Sequence, residues 1–301
     1  MNKYLVGLSI GTYQWRFGNK RALEIAKEIG CDAVDLTLED QEPDKEGSIY
    51  SKGEDYVRKY YAELGAYARE LGLIISQTHG RCASYRKDEE WNRVTLEKTR
   101  LDLIATKALG APALVVHNLA TGRMGIETHA EEMRELSFKM WMDMLPFAKE
   151  YGVKIATETF GDSPAHGCCD FFGKNEEFKA NYNKVKATEY GEWFTACADT
   201  GHSNKAMRFG EPAPAEVIRQ MKGEFTILHL NDNDTLTDQH KMPLSGTIDW
   251  KEVLLALKET GYSGVYNMEL TLDRYGKELA VDHGAFAVKV MRELLSSVYG
   301  E

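Results

Sequence analysis

The chain is short of the features that mark secreted, membrane-spanning and nucleic-acid-binding proteins. Its 301 residues include five cysteines, an odd number with no Cys-x-x-Cys spacing, which argues against both a disulfide framework and a structural zinc knuckle. Cys168 and Cys169 are adjacent, and neighbouring thiols bridge each other only with strain. The thiols therefore read as free and the compartment as reducing, so a cytoplasmic location is expected. No stretch approaches the roughly 18 apolar residues of a membrane span. The short apolar run at residues 4–10 has no Ala-x-Ala-like cleavage site, so neither a membrane partner nor a secretory leader is expected. Basic residues are outnumbered, 37 against 47 acidic ones for a net charge of −10. That balance disfavours a nucleic-acid partner, whose phosphates call for a basic patch.

What remains is material for a large α/β core. Hydrophobic residues make up 43% of the chain, and 26 glycines against 7 prolines suit many turns rather than low complexity. Apolar runs at 4–10, 33–38, 73–78, 113–116, 153–157, 193–198, 225–228 and 265–268 read as buried strands. Between them, segments with helical spacing cover 21–29, 55–71, 89–109, 129–151, 175–190, 214–221, 249–260 and 275–298. Gly30, Gly72, Gly110, Gly152 and Gly261 close several of these, as a helix-ending glycine does. An acidic loop (39–54) follows the second strand and a polar loop (81–88) the third. Eight strand–helix alternations predict an α/β fold, a single-domain (β/α)8 TIM barrel spanning residues 1–301. An open doubly wound sheet is the rival, but no Gly-rich fingerprint follows any strand.

In such a barrel, functional side chains sit at the C-terminal ends of the strands. Here strands three to eight end on His79, His117, Glu158, Asp199, His229 and Glu269, six residues each able to bind a metal. Glu158, Asp199, His229 and Glu269 together make a mostly oxygen site with one imidazole. Three carboxylates at one point repel strongly, and a divalent cation removes the conflict. The ligand types suit Mn2+ or Zn2+, with Co2+ and Mg2+ also compatible.

The carriers of a wider pattern are Thr157-Glu158-Thr159, Asp199-Thr200-Gly201-His202, His229-Leu230-Asn231-Asp232, Asp238-Gln239-His240, Gly246-Thr247-Ile248-Asp249-Trp250 and Met268-Glu269-Leu270. In their order and spacing the chain resembles the xylose isomerase-like TIM barrel superfamily, in the sugar phosphate isomerase/epimerase branch shared with endonuclease IV. The resemblance implies that Glu158, Asp199, His229 and Glu269 are ligands of a single metal. It implies that His202 contacts substrate or binds metal, and that His79, His117, Asp238 and His240 match further metal positions of the nuclease. Two departures stand out. Leu244 replaces the first glycine of a Pro-Gly-x-Gly turn, and Asn233-Asp234-Thr235 stands where ketohexose epimerases carry an arginine.

The expected function is a divalent-metal-dependent isomerase or epimerase of a sugar, sugar phosphate or polyol-derived ketose. Glu158 and Glu269 would serve as the acid/base pair across an enediolate. The alternatives are a trinuclear zinc phosphodiesterase, a lyase or dehydratase on the same site, and a non-catalytic sugar-binding barrel. The expected partner is a small sugar or sugar phosphate, and a homo-oligomer is left open. Trp15 and Phe160 are expected to lie nearest the sugar as pocket wall. Three motifs are discounted. Gly7-Leu8-Ser9-Ile10-Gly11 fits a nucleophile elbow but is expected to lead into a loop. Asp232-Asn233-Asp234 lacks the ligand and glycine of a calcium loop. Arg81, Arg86 and Lys87 read as a solvated loop.

Overall fold

The computed structural model describes residues 4–38, 41–82 and 84–300. Glu39 and Asp40 of the acidic loop and Ala83 of the polar loop lie outside the described residues. Eight strands form one sheet: β1 (Val6–Ser9), β2 (Ala33–Thr37), β3 (Ile74–His79), β4 (Ala113–Val116), β5 (Lys154–Glu158), β6 (Phe194–Asp199), β7 (Phe225–His229) and β8 (Tyr266–Met268). All neighbours are parallel, and β8 pairs with β1 at the far edge. Just beyond the last seam, the Leu230 amide donates to Asn267 O at 2.9 Å and the Glu269 amide to Leu230 O at 3.1 Å, which closes the ring. The main crossover helices are α1 (Asn19–Glu28), α2 (Glu54–Glu70), α3 (Glu89–Leu109), α4 (Ala130–Tyr151), α5 (Asn175–Lys186), α6 (Pro214–Gln220), α7 (Trp250–Glu259) and α8 (Lys277–Tyr299). The expected single (β/α)8 barrel is thus the observed architecture.

Two hydrophobic layers hold it. The larger lies between the strands and the helices, built from residues such as Leu8, Val34, Leu114, Trp141, Phe194 and Leu254. The smaller fills the barrel axis and contains Ala113, Val115, Ala156, Cys197 and Ile227. Side chains on a strand return to the same face every second residue. Two residues beyond Val115, Ala156, Cys197 and Ile227 come His117, Glu158, Asp199 and His229. The small apolar plug therefore sets the floor, and the polar site stands on it one step toward the C-terminal end.

Two local features differ from the sequence reading. The segment after β1 is a helix, Gly11–Phe17, rather than a loop. Ser9, at the strand-to-helix turn, donates to Asp35 Oδ2 at 2.7 Å, not to a histidine, so no nucleophilic pair forms there. Arg81 is buried rather than solvated, pairing with Asp102 at 3.1 Å and Glu42 at 2.9 Å, while Arg86 and Lys87 remain outside on Asp88 and Glu132. Among the described residues, no helix is long and apolar enough to cross a membrane.

Candidate metal and sugar site

A cavity of about 690 Å³ opens at the C-terminal end of the barrel. His79, His117, Glu158, His202, Asp238, His240 and Glu269 all line it, and Asp199 and His229 are fully buried beneath. The structure thus gathers every strand-end residue that the sequence reading named.

Their convergence is tight. One nitrogen, His229 Nδ1, lies 3.2 Å from Glu158 Oε1 and 3.3 Å from Glu269 Oε2. Single ligand atoms of Glu158, Asp199, His229 and Glu269 all fall within 4.8 Å of one another. Asp199 is held from two sides: the Asn231 side-chain amide donates to Oδ2 at 2.8 Å, and the His202 backbone amide to Oδ1 at 2.6 Å. The second bond also caps the short helix Thr200–Ala206. By contrast, Glu158 Oε1, Glu269 Oε2 and His229 Nδ1 are buried without any hydrogen-bond partner. Buried polar atoms left unpaired are costly, and these three face one point. A divalent cation satisfies all of them, so the residues present fit such an ion.

The electrostatics carry the same demand. Burial pushes the Glu158 carboxyl up, yet the rings of His229, His117 and His202 outweigh it and hold it well below the usual carboxylate range. Burial likewise opposes charge on Glu269, and His229, His240 and His79 bring it down. Asp199 goes the other way, pushed up to about 6 by burial against the pull of His202. Burial disfavours charge on His240 too, but Glu269 and Asp238 push it up to about 9. These opposed shifts all come from carboxylates and imidazoles crowded into one buried site, a charge conflict that a bound cation relieves.

The outer residues are arranged in two groups. His202 Nε2 and His240 Nε2 each lie 3.4 Å from Asp238 Oδ2. The buried Lys205 ammonium stands 3.5 Å from Asp238 Oδ1 and 2.8 Å from Asp162. On the other side, His79 Nδ1 meets Glu269 Oε1 at 3.2 Å and its ring stacks on His229 with centroids 5.0 Å apart. Trp15 projects from the Gly11–Phe17 helix onto the rim, 73% exposed. The neighbouring Arg16 ties that helix to the loop after β8, donating to Tyr275 O at 2.7 Å. Phe160 does not line the main cavity. Its ring packs edge-on to His117 and stacks over His202, behind both.

Three further residues stand near the candidate ligands without being conspicuous in the sequence. Asp35 on β2 is buried with Oδ1 unpartnered, and its Oδ2 lies 3.4 Å from His229 Nε2. A charge inside the apolar run 33–38 was the available signal. Cys82 lines the cavity from the loop after β3, and Lys205 occupies the helix after β6. Neither stands at a strand end.

Comparison with known proteins places this geometry. The model of the xylose isomerase-like TIM barrel family matches residues 23–290. The inosose isomerase of Bacillus velezensis is 24% identical over 293 residues, covering 93% of this chain and 91% of the relative. A D-tagatose 3-epimerase-like protein superposes with a TM-score of 0.73 at 21% identity, covering 98% of each chain. The IolI protein, solved with a bound zinc atom, gives a TM-score of 0.66 at 20% identity over 92% of this chain and 91% of its own.

Proposed function

We propose, from the premise that the chain belongs to the xylose isomerase-like TIM barrel family, that it is a divalent-metal-dependent isomerase or epimerase of a sugar or sugar-like ketose. The observation that carries the reading is the pair Glu158 and Glu269. Glu158 ends β5 and Glu269 follows β8, strands three places apart around the ring, and each has a buried, unpartnered oxygen beside the same cavity. A sugar-binding barrel without chemistry has no use for two such carboxylates. The inosose isomerase relative and the zinc atom in the IolI structure support the substrate class and the cation.

Glu158, Asp199, His229 and Glu269 would hold the ion. Bound there, a divalent cation supplies Lewis acidity to the substrate's carbonyl and hydroxyl oxygens. The chain's own residues do the rest. One glutamate takes the proton from the carbon beside the carbonyl, and the C–H electron pair moves toward the carbonyl to leave an enediolate. The other glutamate enters the step as the carboxylic acid and gives its proton to the enediolate from its own side, yielding the epimer or the isomer; the two carboxyls end with their protonation exchanged, and proton exchange with water at the open cavity resets them. His202 is fixed by its Nδ1 on Thr159 O at 3.0 Å and orients a substrate hydroxyl, with His117 in a similar role. Trp15 offers an apolar face at the rim for the sugar's C–H side. Among the described residues, no Lys or Arg lines the cavity, which favours an uncharged sugar over a sugar phosphate. The trinuclear phosphodiesterase reading is weakened by Lys205, whose ammonium already neutralises the Asp238 that a third metal would need.

The test is the pair Glu158→Gln and Glu269→Gln, assayed on a ketose panel in deuterated water with metal content measured alongside. Each variant keeps some metal while turnover drops at least about 10²-fold, the scale of a lost general acid or base. One of the two still exchanges substrate hydrogen with solvent, and the other does neither. Wild-type turnover in both, with metal bound, refutes the two-glutamate mechanism.

A further inference from the structure

We infer that the cavity carries a hydroxyl-binding subsite at the β1–β3 side of the barrel, in which Asp35 and Gln77 select for a free hydroxyl on the substrate. The inference rests on the proposed function and deepens it by naming the kind of sugar the site takes.

The inner layer one step below the strand ends is of two kinds. Under β4 to β7 it is apolar, with Val115, Ala156, Cys197 and Ile227, and those four stay out of the cavity lining. Side chains return to the same face every second residue. Asp35, Gln77 and Asn267, each two residues before a lining residue (Thr37, His79 and Glu269), therefore share that layer on β2, β3 and β8. Ser9 pairs in register with Asp35, and Asp35 with Gln77. This half is polar, and the cavity descends into it, lined there by Ser9 and Asp35.

The donors and acceptors of the polar half do not balance. Asn267 Nδ2 donates to Ser9 Oγ at 3.2 Å, and Ser9 donates in turn to Asp35 Oδ2 at 2.7 Å. The Ser9 proton is thus committed, and Asp35 Oδ2 also faces His229 Nε2 at 3.4 Å. Asp35 Oδ1 and Gln77 Nε2 are left over, an acceptor and a donor at paired register positions, both buried and without a partner. Such atoms are costly. A hydroxyl is the one sugar group that donates and accepts at once, so a single hydroxyl serves both. A hydrogen in its place serves neither, and a phosphate ester brings negative charge against the Asp35 carboxylate.

His229 separates this lobe from the candidate ion, with Nδ1 toward Glu158 and Glu269 and Nε2 toward Asp35. The hydroxyl selected is therefore one away from the reacting carbons. Asp35 and Gln77 are specificity-determining residues, and the acid and base stay where the proposed function puts them.

The test is a competition assay, because the ratio of kcat/KM for two substrates does not depend on how much of the enzyme holds metal. The ketose turned over fastest in the panel, beginning with D-fructose, is paired in turn with its monodeoxy analogues lacking a hydroxyl at a non-reacting carbon. In the wild-type protein one analogue is disfavoured by at least about 10²-fold, because it leaves the buried donor and acceptor unpaired. In Gln77→Met and in Asp35→Asn that ratio shrinks by about tenfold, the scale of one hydrogen bond to a buried partner. Wild-type ratios all below about tenfold, less than one hydrogen bond to a charged group supplies, overturn the subsite whether or not the variants fold. A ratio unchanged in either folded variant also overturns it. Both results leave the isomerase reading standing, since the parent ketose still turns over. Turnover of no ketose overturns that reading and the subsite with it.

Discussion

Gly201 is the smallest residue of Asp199-Thr200-Gly201-His202, and the structure makes a sharp demand of it. A Cβ built there would lie 1.9 Å from Asn231 Oδ1 and 2.9 Å from Asn233 Nδ2, closer than real Cβ atoms come. Asn231 is fully buried, so it cannot swing into solvent. Gly201→Ala therefore pushes the Asn231 amide back by at least about 1 Å, an overpacking that costs about 1–3 kcal/mol. The same amide donates to Asp199 Oδ2 at 2.8 Å. Losing that bond to a charged acceptor costs a further ~1.5–3 kcal/mol. The expected loss of stability is thus about 2.5–6 kcal/mol, read as a shift in urea midpoint at unchanged slope. Metal affinity falls with it, by at least about tenfold (1.4 kcal/mol), because Asp199 loses the group that aims it. The double variant Gly201→Ala/Asn231→Ala separates the two effects: it relieves the overlap but not the lost bond, so it is more stable than the sum of the single variants. A Gly201→Ala protein with wild-type urea midpoint and metal affinity refutes the reasoning.

Asp199→Ala removes a proposed ligand and a helix cap together; it should lose most bound divalent metal, by elemental analysis, while far-ultraviolet circular dichroism still reports a folded barrel. Full occupancy would remove Asp199 from the site. Asp35→Asn keeps the shape but weakens the acceptor facing His229 Nε2, and metal affinity by competition with a chelating dye should drop about 10–100-fold, as when a carboxylate behind a ligating histidine is lost; unchanged affinity would show that Asp35 does not orient the ring. Lys205→Met leaves Asp238 without its buried counter-charge and Asp162 with only Arg208. It should cost about 3 kcal/mol in chemical denaturation, and a loss under about 1 kcal/mol would mean that the ammonium contributes no net stability.

The barrel was legible because its strands are buried on both faces and so appear as continuous apolar runs. A charged residue that ends such a run is conspicuous. That is how Glu158, Asp199, His229 and Glu269 could be read without coordinates. Asp35 escaped because it lies within its strand, and its partners Ser9 and His229 are 26 and 194 residues away. Cys82 escaped because a loop thiol acquires meaning only once β4 carries His117 up to it. Arg81 looked solvated because Asp102, its buried partner, belongs to the middle of α3.

Several motif residues turned out to build the site rather than to act in it. Asp232, in the run that begins with His229, takes the Trp250 indole on Oδ2 at 2.8 Å and the Ile248 amide on Oδ1 at 3.2 Å. It thereby fastens the loop that carries Asp238 and His240 to the start of α7. Gly246 is needed in the same joint, where a Cβ would meet Asn233 O at 2.2 Å and Asp232 Oδ1 at 2.3 Å. Asp234 spends Oδ1 on the amides of Leu236 and Thr237, at 2.9 and 3.0 Å, which accounts for its position without calcium. A pattern of spaced polar residues records both the groups that meet a ligand and the groups that hold those in register. Only the distances separate them: Asp232 is saturated by its own chain, whereas Glu158 and Glu269 keep buried oxygens with nothing to bind. That difference is the observation behind the proposal that the two glutamates carry the chemistry.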